Sequence, residues 1–176
     1  MVLIRREARF VEQVEQVELE TFAVLTGMRR GEILNLRWNE VDLERKLLTV
    51  ASAERFQTKT GKVRALPMSD AVFGLLSRRK LTASGEYVFH RGGFPLQSSY
   101  VSHKFKKYIR ALKLSEKLHF HSLRHTFATW LVQDGVPIYE VQKLLGHSSV
   151  KMTEIYSHLA ASELHSAVNK LTVGLN

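Results

Sequence analysis

The chain has 176 residues, of which 44% are hydrophobic and 24% are charged, with three prolines. This length supports one globular domain with its own core, and the composition excludes wholesale disorder. The formal net charge is +9, and the basic surplus lies after residue 50. Such a surplus favours a polyanion as partner, with nucleic acid the commonest, although a basic protein without such a partner would carry the same charge.

The absence of cysteine excludes a disulfide framework and a thiolate metal site, and it fits a reducing compartment. The apolar run at residues 2–4 is too short for a signal peptide. The apolar runs elsewhere also fall short of the ~18 residues that a membrane helix needs. We therefore expect a cytoplasmic protein that does not enter a membrane.

The first predicted elements are two helices. Apolar residues among glutamates indicate a helix over residues 11–25 that ends at Gly27. Its apolar positions are Val14, Val17, Phe22 and Leu25. A second, short helix follows, and its inward residues would be Ile33, Leu34 and Leu36, with Trp38 near its end.

A small antiparallel sheet is predicted next. Residues 47–50 and 63–66 have the composition of short strands, and the turn at residues 59–62 joins them. Together with one further strand, they form the β part of an α+β fold that is otherwise mainly helical.

The remainder of the chain is predominantly helical. A helix with Ser69 or Asp70 as N-cap follows Pro67, and a brief extended piece at residues 87–89 precedes a loop at 91–93. Further helices are predicted over residues 98–112, 121–134, 137–145, 149–157 and 160–171. Because no linker divides the chain, we expect a single domain over residues 1–176.

His121 and Arg124 form the first candidate site. They are three residues apart, so on a helix they share a face, where Arg124 can offer a bidentate fork to an anion that His121 also reaches. The helix N-terminus adds a positive partial charge that suits phosphate. A capping histidine beside a surface arginine would give the same pattern. His125 is expected to pack or to support its neighbours.

Arg29 and Glu32 form the second candidate pair. Their spacing of three lets the carboxylate fix the guanidinium from the same helical face, although a surface ion pair has the same spacing. Arg30 lies about 100° round the helix and is expected to be solvated.

Lys59 stands in a glycine-containing turn between the predicted strands. Such a turn can carry a lysine into a groove, where its ammonium can protonate a leaving alkoxide, but a solvated turn is the ordinary alternative. Lys62 stands in the same turn and remains a second choice for the same role.

His147 and Tyr156 are the last chemical candidates. They can converge only if the chain turns at Gly146. A free tyrosine ionises near pH ~10, so it becomes a usable nucleophile only where cations stabilise the phenolate or a base takes its proton. An amphipathic residue at the edge of the core is the alternative for Tyr156.

A basic stretch is predicted to serve binding rather than chemistry. Residues 103–117 suit an amphipathic helix with Phe105, Ile109 and Leu112 inward. Its outer cations would contact a DNA backbone, or would only solubilise the surface. These cations are Lys104, Lys106, Lys107, Arg110, Lys113 and Lys117, with Lys62 as a further DNA-binding candidate.

With these residues in view, the chain closely resembles the catalytic domain of tyrosine recombinases, the phage integrase family. The order and spacing of the matching stretches are specific, although each stretch alone is weak. They are Leu25–Glu32, Lys59–Gly61, His121–Thr129, Leu144–His147 and Tyr156.

The resemblance implies a role for each candidate. Arg29 and Arg124 would clamp the scissile phosphate with His121 beside them, and Glu32 would support this geometry. Lys59 would protonate the leaving 5′-hydroxyl, and His147 would assist the phosphate or the nucleophile. Tyr156 would attack phosphorus to give a 3′-phosphotyrosyl link. Fixed cations would stabilise the transition state, so no metal, nucleotide or other cofactor is implied.

The resemblance also implies double-stranded DNA as a partner and other recombinase subunits, with a monomer in isolation and a tetramer on DNA, in a bacterial or phage-encoded protein. Family members usually carry an additional N-terminal helical domain, and without it we expect weak, poorly specific DNA binding. Residues 157–176 have an apolar stripe, which would be passed to a neighbouring subunit or would pack on its own core.

Two other functions fit parts of the pattern. A type IB topoisomerase would use the same chemistry to relax supercoils without a partner site, although the Leu145-Gly146-His147 box favours a recombinase. A DNA-binding module without catalysis is the alternative from a different class, and the complete set of catalytic side chains argues against it.

Overall fold

The structure is a computed structural model that describes residues 2–51 and 63–160, with side chains for residues 13–51 and 63–158. The chain forms two compact units, residues 1–124 and 125–176. The elements bear out the predicted class, a mainly helical fold with a three-stranded antiparallel sheet. The single domain over 1–176, with an exchangeable tail at 157–176, stays a prediction.

The first unit begins with two helices, α1 (Val2–Thr26) and α2 (Arg30–Leu34), and a 3-10 turn at Trp38–Glu40. The sheet follows, with β1 (Val41–Asp42), β2 (Leu47–Ala51) and β3 (Val63–Pro67) in that spatial order. Leu48 pairs with Leu66 across β2 and β3, and both are buried. Buried and more exposed residues alternate along β2 and β3, so one face of the sheet packs against the core.

The predicted apolar face of α1 is confirmed at Phe22, which is buried, and is wrong at Val14 and Val17. Val14 and Val17 are 42% and 56% exposed, whereas Leu19, Phe22 and Ala23 are buried. At 100° per residue, Val14 and Val17 lie on the side of the helix opposite Leu19. The helix also starts earlier than residue 11, at Val2.

The rest of the first unit consists of α3 (Asp70–Leu81), the hairpin strands β4 (His90–Arg91) and β5 (Phe94–Pro95), α4 (Ser98–Ala111) and the start of α5 (Ser122–Gln133). α3 packs against α1. The extended piece after α3 bonds back to the segment after α2, where the Val88 amide donates to the Leu36 carbonyl oxygen. Arg91, predicted to be in a loop, instead pairs with Phe94 in the hairpin.

The second unit contains the remainder of α5, then α6 (Ile138–Leu145) and two 3-10 turns at Val150–Met152 and Glu154–Ala160. The predicted α-helix over 149–157 is therefore wrong in type. A separate apolar cluster forms the core of this unit, consisting of Ala128, Val132, Val141, Leu145 and Tyr156.

The N-cap of α3 provides a test of local stability. The Ser69 hydroxyl accepts a hydrogen bond from the Val72 amide at 3.3 Å, so Ser69, rather than Asp70, is the cap. We expect Ser69→Ala to lower the free energy of unfolding by about 1 kcal/mol, because a helix amide loses its acceptor. Urea denaturation measures this loss, with the exposed loop residue Ser84→Ala as control. Equal stability of the two variants would contradict the assignment.

Candidate active site

Arg29 is positioned by the turn between α1 and α2. Gly27 has φ 59°, a left-handed conformation that ends α1, and its amide donates to the Ala23 carbonyl oxygen. Arg29 then occupies the N-cap of α2 in an extended conformation. Its amide donates to Glu32 Oε2 at 2.7 Å, which is the carboxylate half of a capping box.

Glu32 is buried between two arginines. Arg29 Nη1 lies 3.1 Å from Glu32 Oε1, which gives the predicted ion pair. Arg64, on β3, adds a fork of two bonds at 2.9 Å, one to each carboxylate oxygen. Burial alone would raise the pKa of Glu32, but the bonds and charges of Arg64 and Arg29 outweigh burial and hold that pKa below its usual range.

Arg64 was missed by the sequence interpretation. On β3 it occupies the same face as the buried Leu66, two residues further on. An arginine at an inward strand position needs a buried acid as partner, and this was the available signal. The identity of the acid, 32 positions away, had no local signal.

Arg124 lies in the first turn of α5 and is 3% exposed. Its Nη1 donates to the Gly27 carbonyl oxygen at 2.7 Å. The left-handed turn that ends α1 therefore also fixes the second predicted arginine. The backbone of the Leu25–Glu32 stretch and the Arg124 guanidinium are therefore in direct contact within the first unit.

His121 is exposed and immediately precedes α5, and its carbonyl oxygen accepts a hydrogen bond from the Arg124 amide at 3.1 Å. The two residues are therefore one turn apart, and their joint contact with an anion stays a prediction. His121 borders a cleft of about 310 Å³ together with Arg30 and Lys106. Arg30, predicted to be solvated, is half-buried and donates to the Ser102 hydroxyl of α4.

The basic stretch differs from its prediction. α4 ends at Ala111, Leu112 is 67% exposed, and Lys113 has φ 54°, so the helix does not extend to Lys117. The chain then folds back and brings Glu116 to α4. Arg110 pairs with the Glu116 carboxylate at 3.3 Å.

The α4 lysines have different surroundings. Lys104 lies over the Tyr100 ring at 5.5 Å, and Lys106 donates to the Glu116 carbonyl oxygen. Lys107 is exposed. Glu116 therefore offsets part of the positive charge that the sequence predicted for this face.

His147 follows the end of α6 in the second unit. Gly146 has φ 64° and ends the helix, and the His147 amide donates to the Gln142 carbonyl oxygen at 3.1 Å. The His147 ring then bonds through Nδ1 to the Thr153 hydroxyl at 2.8 Å. The predicted turn at Gly146 is confirmed, and it orients the imidazole toward the 3-10 segment that precedes Tyr156.

Tyr156 is 6% exposed and belongs to the core of the second unit. Its hydroxyl lies 2.5 Å from His125 Nδ1 on α5. The sequence interpretation assigned His125 to packing or support and so missed this direct contact. A separation of 31 residues gave no local signal for it.

The remaining candidates, Lys59, Lys62 and the tail beyond residue 160, lie outside the described residues. Within residues 2–51 and 63–160, none of the helices has the length and apolar character needed to span a membrane.

The sequence profile of the phage integrase family matches residues 10–163. The chain therefore belongs to the phage integrase family. A tyrosine recombinase of Thermosipho africanus is 34% identical over 146 residues, which cover 82% of this chain and 50% of that relative. The chain spans about half the length of the curated relatives it matches.

Solved structures show the same fold. The XerH site-specific recombinase, in a post-cleavage complex with its palindromic difH substrate, matches with a TM-score of 0.67 and 27% identity. The match covers 88% of this chain and 45% of that one. A lambda integrase dimer bound to a core site matches with a TM-score of 0.65 and 26% identity, over 79% of this chain and 52% of that one.

Proposed function

We propose that this chain is the catalytic domain of a site-specific DNA recombinase, which cleaves and rejoins strands through a 3′-phosphotyrosyl intermediate on Tyr156. The observation that carries the proposal is the Tyr156 hydroxyl held against an imidazole in a chain of the phage integrase family. A buried tyrosine hydroxyl commonly has a hydrogen-bond partner, and here that partner is an imidazole, a group that can accept its proton. A hydrogen-bonded imidazole is what a phenol needs to become a nucleophile.

In the proposed reaction, Arg29, Arg124 and His121 hold the scissile phosphate and stabilise the charge of its transition state. His125 takes the phenolic proton of Tyr156, and the Tyr156 oxygen bonds to phosphorus as the bond from phosphorus to the 5′-oxygen breaks. Lys59, or Lys62, protonates the 5′-oxygen, and His147 assists the phosphate. Burial of Arg124 supports this assignment, because a fixed cation needs no reorganisation during the reaction.

The proposed partners are double-stranded DNA and further copies of the recombinase, as a tetramer on DNA and a monomer alone. The similar XerH and lambda integrase structures contain DNA, and the latter is a dimer. On α4, Lys107 is the exposed lysine, and Lys104, Lys106 and Arg110 are the other proposed backbone contacts. We propose a bacterial or phage-encoded protein that acts in the cytoplasm.

The proposal is tested by incubating the chain with nicked suicide duplexes whose sequence around the nick is randomised. Covalent adducts are isolated under denaturing conditions, and the captured DNA is sequenced. A recombinase yields adducts enriched in one sequence. Supercoil relaxation without sequence enrichment would favour a type IB topoisomerase, and binding without any adduct would leave a DNA-binding module.

The contact between His125 and Tyr156 leads to a separate prediction. If His125 takes the phenolic proton during attack, His125→Phe lowers the single-turnover cleavage rate by about 10²-fold or more. The control is His158→Gln, an exposed histidine in the same 3-10 segment as Tyr156. Equal cleavage rates for the two variants would mean that His125 only packs against the ring.

A further inference from the structure

We propose that Arg64 is a positioning residue of the strand-cleavage reaction, which acts on the scissile phosphate through Glu32 and Arg29. The inference rests on the proposed function. Arg64 was not among the candidate site residues that the sequence indicated. The role is electrostatic, because Arg64 neutralises the carboxylate that would otherwise neutralise Arg29.

The Glu32 carboxylate accepts four hydrogen bonds from Arg29 and Arg64. Its Oε1 accepts from Arg64 Nη1 at 2.9 Å and Arg29 Nη1 at 3.1 Å. Its Oε2 accepts from Arg64 Nη2 at 2.9 Å and the Arg29 amide at 2.7 Å. Two donors on each oxygen match the capacity of an ionised carboxylate. Arg64 supplies the planar fork, which lysine cannot reproduce.

Exposure separates the roles of the two arginines. The Glu32 side chain is 0% exposed, that of Arg64 is 15% exposed, and that of Arg29 is 35% exposed. Arg64 is therefore the interior partner, and Arg29 is the arginine whose charge is nearer to solvent. Because Arg64 places both of its terminal nitrogens on Glu32, we assign the contact with the phosphate to Arg29.

The net charge of Arg29, Glu32 and Arg64 explains the proposed role of Arg64. The three side chains together carry a net charge of +1, because two guanidinium groups face one carboxylate. Without Arg64, Arg29 is the main counter-charge of the buried Glu32 carboxylate among the described residues, and this pair is neutral. The carboxylate would then neutralise the charge of Arg29, and Arg29 would attract the phosphate less strongly. Arg64 thus frees the positive charge of Arg29 for catalysis.

The first test compares Arg64→Met with wild type on two suicide duplexes, one with the natural scissile phosphate and one with a methylphosphonate there. The methylphosphonate lacks one anionic oxygen, so it requires less positive charge. We expect Arg64→Met to slow single-turnover cleavage of the phosphate by about 10- to 100-fold, as for other supporting residues. On the methylphosphonate the defect should shrink to within about threefold, as should that of Arg29→Met.

Two further variants separate charge from folding. Arg64→Met combined with Glu32→Gln removes both partners, restores a net charge of +1, and should recover at least about tenfold of the lost rate. Arg64→Lys keeps the charge without the fork and should fall between wild type and Arg64→Met. Arg37→Met is the matched control, because Arg37 pairs with Glu86 on the surface at 2.6 Å.

The outcomes are distinct. Equal defects on both duplexes, or a double variant no faster than Arg64→Met, would overturn the inference, since a merely structural role gives those results. A wild-type chain that forms no adduct would instead refute the proposed function. If Arg64→Met fails to fold, as judged by circular dichroism, the double variant and Arg64→Lys carry the same comparison.

Discussion

Tyr156→Phe is expected to abolish covalent attachment to DNA while the second unit stays folded. The variant removes only the hydroxyl, and the ring continues to fill the cluster around Val141 and Leu145. Loss of a nucleophile typically lowers turnover by at least about 10⁴-fold, so the adduct should fall below detection on a denaturing gel. Non-covalent binding to the same duplex should be retained, because the cations proposed to bind the phosphate are unchanged.

The matched control is Tyr139→Phe, which removes a hydroxyl from an exposed tyrosine of the same unit. This control should form adducts at the wild-type rate. Adduct formation by Tyr156→Phe would identify another nucleophile and would refute the assignment of Tyr156. Loss of the adduct in both variants would point to a general loss of folding, which a thermal melt distinguishes.

Glu32→Ala is expected to give the largest loss of stability among the site variants. It removes a fully buried carboxylate and leaves Arg64, only 15% exposed, without the acid that its fork contacts. Breaking a buried pair in this way costs about 3 kcal/mol or more. Urea denaturation measures the loss as a shift of the midpoint. Glu86→Ala, which breaks an exposed pair with Arg37, should cost less than about 1 kcal/mol.

The contribution of Glu32 to the stability of the fold decreases as the pH falls. Its pKa lies below the ordinary value of 4.5 in the folded state, so the unfolded state binds more protons between the two values. The ionised carboxylate therefore stabilises the fold fully above pH 4.5, and this contribution is lost as the pH falls through the folded value. The stability difference between wild type and Glu32→Gln should be largest at pH 7 and should narrow below pH 4.5. A difference independent of pH would contradict the ionised pair.

Elements with strong local signals were predicted well. Helices α4, α5 and α6 begin and end within one residue of their predicted bounds, because glycines and a proline mark several of their ends in the sequence. The buried side of α1 was predicted only at Phe22, because apolar residues are spread round that helix and its packing partners determine which of them are buried. The segment after Gly146 forms 3-10 turns rather than the predicted α-helix.

The candidate site was also predicted only in part. Chemical type and spacing along the chain singled out Arg29, His121, Arg124, His147 and Tyr156, and the match over residues 10–163 agrees with the family that these residues indicated. The roles of these residues stay predictions, and their tests are the variants described above. Local spacing also identified the pairing of Arg29 with Glu32, because three residues along a helical turn bring two side chains together.

What the sequence determined by itself was therefore the inventory of reactive side chains, their order and the family. Only the tertiary structure decided which distant groups touch. Arg64 forks onto Glu32, Arg124 bonds to the Gly27 carbonyl oxygen, and His125 meets the Tyr156 hydroxyl. These partners are 31 to 97 residues apart. Such contacts arise from the packing of whole elements, and a single sequence holds no local pattern that specifies them.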